Sequence, residues 1–439
     1  MKFTGVVISI FSCLLCQQVH GGKIVDDVEF SWSEATLPFP VSDVMANFIP
    51  DPQDEENGGF IIITGGCDSI KGNERANFGD GDLFACFSTS TKTLKFDPFT
   101  EQVKVMADMP NERQRHAAGV VNGKLVVIGG RDSNDELVSA LDVYDPVADE
   151  WTTLGIVPDD LVTSDLTAWS YEGSLFVTGG FIADYTAVGN TYRIDFNADA
   201  TAVTSYVSLN PSPNPRGDFH AIEYNGYAYL AGGITHEGGW CEGLKTTERY
   251  SIKDDAWETL ADLDVGRADM AVALLNGKIL AMGGESKPDD CLEIQDPAYG
   301  SFPQDDVEVL LNPAGAGADS SWDKFGDLPD QRFRFAAATV PPLNRVYTFG
   351  GQLPLDFTCD CFPTNNRIAV GMEVLREEDA SSGLGSGAIA GIVIAALVAV
   401  ALIVGLLLML RKTEARKESV EAQLAIEQEA KAKHEGEVE

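Results

Sequence analysis

Four arginines recur at matching positions along the chain and could bind anions. Arg113, Arg267 and Arg332 each stand four residues before an alanine that opens an apolar stretch, and Arg216 stands five residues before Ala221. A guanidinium group can bind a carboxylate through two parallel hydrogen bonds. The spacing places all four at the entry to these stretches, around the mouth of a shared axis, and therefore predicts a pocket there that accepts an acidic peptide or sugar. The alternative is that each arginine pairs with an acidic side chain of the protein itself.

Residue types suited to catalysis are sparse. His116 and His220 occupy the same position relative to these apolar stretches, which indicates a structural role near a shared axis. Motifs of serine hydrolases, phosphate-binding loops and zinc proteases are absent. Acidic doublets such as Asp254-Asp255 fit no defined calcium loop. The sequence predicts no catalytic residue, no metal ligand and no cofactor.

Six cysteines are candidates for disulfide bonds once the N-terminal segment is set aside. They are Cys67, Cys86, Cys241, Cys291, Cys359 and Cys361. Cys67 and Cys86 belong to one repeat and are candidates for a pair. The other four fall in loops of later repeats, where bridges between neighbouring repeats are one option and a zinc site shared with carboxylates is the other. The connectivity stays open.

The composition excludes one class of partner. The chain of 439 residues has 31 lysines and arginines against 68 aspartates and glutamates, for a formal charge of −37. Nucleic-acid binding needs a basic face, so no nucleic acid is expected as a partner. Apolar residues make up 44% of the chain, which is enough for a sizeable core.

The elements that must position these residues form an internal repeat. An apolar strand followed by a Gly-Gly pair occurs six times. The pairs end at Gly66, Gly130, Gly180, Gly233, Gly284 and Gly351. Asn-Gly or Glu-Gly turns before several of these strands predict hairpins, and two further strands follow each pair. A sheet of four short strands that is apolar on both faces must stack against its neighbours, which indicates radial packing around an axis.

The last repeat is one strand short of the others. The last repeat ends at the strand Arg367–Leu375 and no tryptophan-bearing strand follows it. The segment Val28–Trp32 near the N-terminus carries such a tryptophan before any inner strand. We expect this segment to pair with the last repeat and close a ring.

The pattern resembles the kelch-repeat family. The resemblance is carried by the six Gly-Gly pairs, by the element Tyr144-Asp145-Pro146, and by Trp151 and Trp257. It implies an all-β fold, a six-bladed kelch-type β-propeller over residues 26–378 whose N-terminal strand closes the last blade. Large, variable loops on such a rigid scaffold predict a recognition module that binds a protein or glycan ligand on one propeller face. The four arginines predict that this ligand is acidic. The alternative is a kelch-type extracellular oxidase or sugar-modifying enzyme.

The two ends of the chain predict targeting to a membrane. Residues 1–22 are typical of a secretory signal peptide, and residues 379–387 form a linker. Residues 388–410 contain no charge and could cross a bilayer as one transmembrane α-helix, followed by a basic flank and a tail over 411–439. These segments predict a single-pass type I protein of the plasma membrane or a secretory-pathway membrane, with the ectodomain extracellular or luminal.

Small residues at the start of the predicted span could bring two helices together. Gly387 and Gly391 form a GxxxG spacing, which lets helix backbones approach closely. This predicts a homodimer contact. The alternative is a flexible linker that runs into a span rich in alanine and glycine.

Overall fold

The computed structural model describes residues 24–51, 54–68, 86, 88–235, 243–286, 302–314, 320–356 and 362–377. The chain divides into one compact unit over Asp26–Val374 and a second that comprises Met1–Val25 and Leu375–Glu439. The fold described below is that of the first unit.

Short β-strands make up almost all of the regular structure in these ranges. In chain order they are β1 (Ile24–Thr36), β2 (Met45–Asp51), β3 (Asp54–Thr64), β4 (Thr93–Asp97), β5 (Gln102–Val105), β6 (Ala117–Val121), β7 (Lys124–Ile128), β8 (Ala140–Asp145), β9 (Glu150–Ile156), β10 (Thr167–Tyr171), β11 (Ser174–Thr178), β12 (Thr191–Phe196), β13 (Val203–Leu209), β14 (His220–Tyr224), β15 (Tyr227–Ala231), β16 (Thr247–Ser251), β17 (Ala256–Thr259), β18 (Ala271–Leu275), β19 (Lys278–Met282), β20 (Glu285–Ser286), β21 (Phe302–Pro303), β22 (Asp306–Leu311), β23 (Ser321–Asp327), β24 (Ala336–Val340), β25 (Arg345–Phe349) and β26 (Arg367–Glu377). Short 3-10 helices span Asp159–Leu161 and Pro341–Leu343.

The strands form antiparallel sheets in which sequence neighbours pair. Four sheets have four strands each, in the orders β2-β3-β4-β5, β6-β7-β8-β9, β10-β11-β12-β13 and β14-β15-β16-β17. A larger sheet has the order β18-β19-β22-β23-β1-β26-β25-β24, and β20 pairs with β21. Within the larger sheet β1 runs parallel to β23, with Val28 opposite Gly326, and lies on its other side against β26.

The inner strands lie around a common axis. β2, β6, β10, β14, β18 and β24 contact one another in sequence, and β24 returns to β2. Small side chains on these strands allow the close approach, as at Ala117 and Ala271, which are at most 1% exposed. Sheets that radiate from a closed circuit of inner strands define a β-propeller.

The core is divided among the spaces between neighbouring sheets. One cluster packs Ile61 and Phe96 of the sheet β2-β3-β4-β5 against Tyr347 and Phe349 of β25. Corresponding clusters fill the spaces between the other neighbouring sheets. Burial of both faces explains why the second strand of each repeat is apolar over most of its length, since each face packs against a different neighbour.

The hairpins between first and second strands have the predicted geometry. Asn122 and Gly123 have φ angles of 49° and 80°, and the turn Asn276-Gly277 has 50° and 75°. Positive φ at both central residues is the requirement of a type I′ turn, whose twist matches that of the flanking strands. These two turns are two residues long and therefore leave little surface of their own for a partner.

The structure corrects the localisation that the sequence suggested. Among the residues described, no helix has the length and apolar character needed to cross a bilayer. These residues therefore give no support to the prediction of a single-pass type I membrane protein with an extracellular or luminal ectodomain. The proposed signal peptide, linker, transmembrane segment 388–410 and tail, together with Gly387 and Gly391, lie outside the described residues.

Candidate functional site

The four arginines singled out in the sequence are buried between the sheets. Arg113, Arg267 and Arg332 are 0% exposed and Arg216 is 1% exposed. Arg113 pairs with Asp142, and Arg216 pairs with Glu248, whose side chain is also fully buried. These contacts are those of the alternative reading, in which each arginine pairs with an acid of the protein. A role in binding an acidic ligand stays a prediction.

The other two arginines have comparable partners. Arg267 Nη2 lies 2.6 Å from Asp306 Oδ2 and also contacts Glu308. Arg332 Nε lies 2.6 Å from Asp330 Oδ1. Burial lowers the pKa of Arg332 from its ordinary value, and the Asp330 carboxylate opposes that effect. An arginine keeps its charge under such conditions because its ordinary pKa is so high.

Each arginine also holds the Gly-Gly pair of its own repeat. Its Nη1 donates a hydrogen bond to the carbonyl oxygen of the first glycine. The donor and acceptor pairs are Arg113–Gly129 (3.0 Å), Arg216–Gly232 (2.8 Å), Arg267–Gly283 (3.1 Å) and Arg332–Gly350 (3.1 Å). The arginines therefore fix the end of the second strand in four repeats.

The second glycine of each pair links neighbouring repeats. Its N–H donates to a main-chain carbonyl of the next repeat. The accepting residue is the one that is equivalent to these arginines, and it is Thr163 or Val41 in the two repeats that lack the arginine. The pairs are Gly66–Arg113 (2.9 Å), Gly130–Thr163 (3.0 Å), Gly180–Arg216 (2.7 Å), Gly233–Arg267 (2.9 Å), Gly284–Arg332 (2.9 Å) and Gly351–Val41 (2.9 Å). A Cβ at Gly130 would lie 2.4 Å from the Gln114 carbonyl oxygen, so this close approach requires glycine.

A ring of main-chain hydrogen bonds closes around the axis. Its members follow the four arginines, and the equivalent residues Val41 and Thr163, by two positions. One residue from each repeat takes part, and each has a φ between 52° and 59°. In each case the N–H donates to the carbonyl of the preceding member. The bonds are Asp43–Arg334 (2.8 Å), Arg115–Asp43 (3.4 Å), Asp165–Arg115 (2.8 Å), Asp218–Asp165 (3.2 Å), Asp269–Asp218 (2.9 Å) and Arg334–Asp269 (2.9 Å). We call these six residues the axial ring.

The axial ring lies at the end of the molecule where the inner strands begin. The loops between second and third strands emerge at the same end, because Gln114 pairs with Arg131 and Arg131 with Leu137. We call this end the ring face, and the opposite end, which carries the two-residue hairpin turns, the hairpin face.

Ion pairs connect some of the side chains of the axial ring. Arg115 Nε lies 3.6 Å from Asp43 and 3.7 Å from Asp165, and Arg334 Nε lies 3.8 Å from Asp43 and 3.1 Å from Asp269. With four aspartates and two arginines the axial ring has a formal charge of −2. Asp218 is flanked by Asp165 and Asp269 and has no arginine beside it in the ring.

Burial and neighbouring carboxylates disturb the titration of this cluster. Burial raises the pKa of Asp218 well above its ordinary value, and the charges of Asp269 and Asp165 add to the effect. Burial also raises the pKa of Asp269 to about 6, although Arg334 acts in the opposite direction. Asp218 and Asp269 of the axial ring therefore keep their protons more readily than exposed carboxyl groups do.

Two cavities lie along the axis. One of about 40 Å³ is lined by the six residues of the axial ring together with His116 and His220. A second of about 190 Å³ continues between the inner strands and is lined largely by alanines, with Asn47 and Thr167 among the polar residues. The axial ring thus separates a narrow channel from the ring face.

The two histidines predicted to have a structural role line these cavities. His220 Nδ1 donates to the Met270 carbonyl oxygen at 2.8 Å, and His116 Nε2 lies 3.0 Å from Thr64 Oγ1. Burial, reinforced by the charge of Arg113, lowers the pKa of His116 to about 3. Burial also lowers the pKa of His220. Both rings are therefore neutral near pH 7.

Loops of neighbouring repeats are joined on the ring face. The guanidinium carbon of Arg131 lies 3.9 Å from the centroid of the Tyr185 ring, and Arg131 Nη2 donates to the Ile182 carbonyl oxygen at 3.0 Å. The Tyr185 hydroxyl donates to the Asp135 carboxylate at 2.7 Å. These contacts hold the loops 131–139 and 182–190 in place and leave carboxylates at their tips.

The hairpin face has a larger groove between two sheets. Its cavity of about 670 Å³ is lined by Tyr171, Phe176 and Tyr227 and by several charged side chains. Arg193, one of those charged residues, is bound to Asp195 at 2.8 Å. The groove has a size suited to a ligand, but none of the arginines, histidines and cysteines selected from the sequence lines it.

The cysteines are described in part. Cys67 and Cys86 form a disulfide bond with a Cα–Cα distance of 5.8 Å. Cys241, Cys291, Cys359 and Cys361 lie outside the described residues. The part of the chain that is described contains no group of three or more His, Cys, Asp or Glu side chains arranged to hold a metal ion.

Reasoning from the sequence missed the axial ring. The signal was present as an Arg-x-Asp or Arg-x-Arg spacing, because Asp218 follows Arg216 by two residues and Arg334 follows Arg332 by two. The sequence expectation placed the first member of each pair at the axis. The structure buries the first member between sheets and brings the second to the axis.

Comparisons with known proteins agree with this architecture. Residues 56–284 match the family model described as the KLHDC2/KLHL20/DRC7 Kelch-repeats domain. The fold is that of an all-β kelch propeller. Because the match covers more than half of the chain, the chain belongs to this kelch-repeat family.

Curated relatives share part of their length with this chain. Kelch-like protein 15 of Danio rerio is 29% identical over 210 residues, which is 45% of this chain and 34% of the relative. Beta-scruin of Limulus polyphemus is 26% identical over 214 residues, or 46% of this chain and 22% of the relative. The chain thus matches about a third or less of these longer proteins.

A solved structure has a similar fold. The structure of YjhT superposes with a TM-score of 0.56 and covers 78% of this chain and 99% of its own, at 13% sequence identity. At that identity the likeness concerns the fold alone.

Proposed function

We propose that this chain is a six-bladed kelch propeller that binds a protein partner on its ring face. The blade count is supported by six inner strands in a closed circuit and by six core clusters between neighbouring sheets. The eight-stranded sheet then counts as two blades that meet where β1 runs beside β23. In this count β1 is the fourth strand of the last blade.

A protein partner is supported by the kelch-repeat family and by the kelch-like and scruin relatives. The choice of face is supported by loop length. Loops 131–139 and 182–190 on the ring face are longer than the two-residue turns of the hairpin face and than the loops 146–149 and 197–202 that join third and fourth strands there. Loops held by a rigid scaffold are where binding residues usually lie.

The observation that carries the proposal is the distribution of charge on the ring face. Asp135, Glu136, Asp159, Asp160 and Asp184 are exposed there. The arginines that could have received an acidic ligand are instead buried and paired with carboxylates. We therefore infer a partner with a basic surface rather than an acidic one. The attraction between such surfaces weakens as salt screens it.

The test compares matched charge reversals on the two faces. Glu136→Lys changes an exposed carboxylate on the ring face, and Glu172→Lys changes an exposed carboxylate on the hairpin face. The full chain is used to capture partners, and cross-linking followed by mass spectrometry maps where they bind. We expect Glu136→Lys to release the partner and Glu172→Lys to retain it. Release by Glu172→Lys alone, or equal loss with both variants, would overturn the proposal.

A further inference from the structure

The buried arginines are matched by acids on the third strand of their repeats, with one exception. The acid lies opposite the residue that stands two positions before the first glycine. It binds Nη2 of the arginine in three pairs, which are Arg113–Asp142, Arg216–Glu248 and Arg267–Glu308. In the two repeats that have Val41 or Thr163 instead of the arginine, the acid is replaced as well, by Leu94 or Tyr192. Arginine and acid are therefore present together or absent together in five repeats.

The last repeat has the arginine without the acid. Its third strand has Ala369 opposite Thr348, which is the position of the acid in the other repeats. Arg332 Nη1 donates to the Gly350 carbonyl oxygen at 3.1 Å, as the other three arginines do to the first glycines of their own repeats. This shared hydrogen bond orients the four guanidinium groups alike. Nη2 of Arg332 is therefore directed toward the place where three other repeats have a carboxylate.

Two hydrogen-bond donors at this place have no acceptor among the residues that the structure describes. They are Nη2 of Arg332 and the hydroxyl group of Thr348, and both side chains are 0% exposed. Thr348 and Ala369 are opposite each other on neighbouring strands, so their side chains lie on the same face of the sheet. A buried donor without an acceptor is costly, because it has lost its hydration and gained no partner. An acceptor beside Ala369 would serve both donors.

The charge around this place is positive. Asp330 binds Nε of Arg332 at 2.6 Å and balances one positive charge. Arg367 adds a second cation, and its guanidinium group approaches the same Trp32 ring that Arg332 approaches. Burial lowers the pKa of Arg332, Asp330 opposes that effect, and the charge of Arg367 reinforces it. Together Arg332, Arg367 and Asp330 carry a formal charge of about +1 at neutral pH, so one monovalent anion would balance them.

We propose that a small monovalent anion binds beside Ala369 and accepts hydrogen bonds from Arg332 Nη2 and the Thr348 hydroxyl group. The anion replaces the carboxylate of the other repeats, so its size is that of chloride or of the carboxylate group of acetate. Bonds from a guanidinium group to an anion are among the strong hydrogen bonds in proteins. A dianion such as sulfate would leave an excess negative charge in a buried place, which is costly.

This site is distinct from the pocket that the sequence predicted. That pocket would use four arginines around the axis, whereas this one uses the single guanidinium group that lacks a third-strand acid. Trp32 and Ala369 belong to the same apolar cluster, and Trp32 is half-buried. The anion thus lies where β1 completes the last repeat, and there it holds Arg332 as the acids hold the other three arginines. The inference does not depend on the partner proposed for the ring face.

The probe is sodium chloride, observed by chlorine NMR in the presence of the full chain. A chloride ion that exchanges with a protein site has a broader resonance than chloride in buffer, and the added linewidth reports binding. We expect the wild-type protein to broaden the resonance. Sodium acetate, added at constant ionic strength, should compete for the same donors and narrow the resonance again. Absence of competition by acetate would contradict a site of carboxylate size.

Ala369→Glu supplies the carboxylate from the chain itself. We expect this variant to lose most of the added linewidth and to have a higher melting temperature than the wild-type protein, because both buried donors gain an acceptor. Ala256→Glu, at an exposed position on β17, is the matched control that adds the same charge elsewhere. It should keep the added linewidth. Equal linewidths for the wild type and Ala369→Glu, or equal losses in both variants, would overturn the site.

Thr348→Val tests the second donor, because valine has nearly the shape of threonine and no hydroxyl group. We expect it to weaken chloride binding about tenfold, as is usual for loss of one hydrogen bond to a charged group. Thr152→Val, at an exposed position on β9, is its control and should bind chloride like the wild-type protein. Unchanged binding by Thr348→Val would show that the anion lies elsewhere and would overturn the proposal.

Discussion

The guanidinium carbon of Arg367 lies 3.5 Å from the centroid of the Trp32 indole ring. Arg332 approaches the same ring, with its guanidinium carbon 5.1 Å from the centroid. Trp32 belongs to β1 and Arg367 begins β26, so the contact joins the first and last strands of the fold. Such cation–π contacts contribute about 0.5–2 kcal/mol each, depending on how far the groups are removed from water. The contact also lies where the ring of sheets is closed, because β1 supplies the outer strand that the last repeat lacks.

Trp32→Ala should destabilise the protein by about 2–3 kcal/mol, since it removes a partly buried aromatic ring and two cation–π contacts. Trp32→Phe retains an aromatic face and should cost about half as much. The measurement is the free energy of unfolding in urea. If Trp32→Ala matched the wild-type protein, closure by β1 would contribute little to stability.

Much of the fold was predictable because its signals are local. A Gly-Gly pair after an apolar strand marks a close approach of two segments of main chain. At Gly130, for example, the chain approaches the Gln114 carbonyl so closely that glycine alone fits there. The position of Trp32 before any inner strand likewise indicated that the last sheet had to be completed from the other end of the chain. Both signals are direct consequences of packing.

The axial ring was not predictable in the same way. Arg113 and Arg115 are two residues apart and would face the same side of a regular strand. The backbone of Arg115 instead has a φ of 52°, which turns the chain and separates the two guanidinium groups. The sequence contains both arginines but not this local turn, which depends on hydrogen bonds from neighbouring repeats. That is why the sequence placed the wrong member of each pair at the axis.

Arg216→Met should destabilise the protein by about 3–5 kcal/mol, because it leaves the Glu248 carboxylate buried without its cation. The double variant Arg216→Met with Glu248→Leu should recover most of that loss, since it removes both buried charges. The free energy of unfolding in urea measures both effects.

The control for this pair is the exposed ion pair of Arg193 and Asp195, whose side chains are 40% and 24% exposed. Arg193→Met should cost about 0–1 kcal/mol, as is usual for exposed pairs. Equal effects of Arg216→Met and Arg193→Met would contradict a structural role for the buried arginines.

Cys86→Ser should lower the free energy of unfolding by about 3 kcal/mol, because it opens a loop closed by the disulfide to Cys67 over a sequence separation of 19. Cys67 also pairs through its backbone with Ser42 and Thr89, so the disulfide anchors the loop to the first sheet. Unfolding with and without a reductant provides the check. A reductant should weaken the wild-type protein more than the variant, because any bridges among the other cysteines are common to both, and an equal response of both would argue against this pairing.

His116 should make the protein less stable in acid. Its pKa of about 3 in the folded protein lies below the ordinary value of 6.5, so between these values the unfolded chain binds the proton that the folded protein excludes. Stability due to the neutral ring is fully present above pH 6.5 and is lost as pH falls toward 3. At pH 5 the loss is about 2 kcal/mol.

His116→Gln isolates that contribution, because glutamine can contact Thr64 and does not titrate. Asp218 and Asp269 have the opposite effect on stability, since a raised carboxyl pKa increases the free energy of unfolding as pH falls. His220 lowers the free energy of unfolding as pH falls, as His116 does. These groups are common to both proteins, so the difference in unfolding free energy between the variant and the wild type reports His116 alone. We expect that difference to change in favour of the variant by about 2 kcal/mol between pH 7.5 and pH 5. A difference that stays constant across this range would show that His116 is protonated, or exposed to water, in the folded protein.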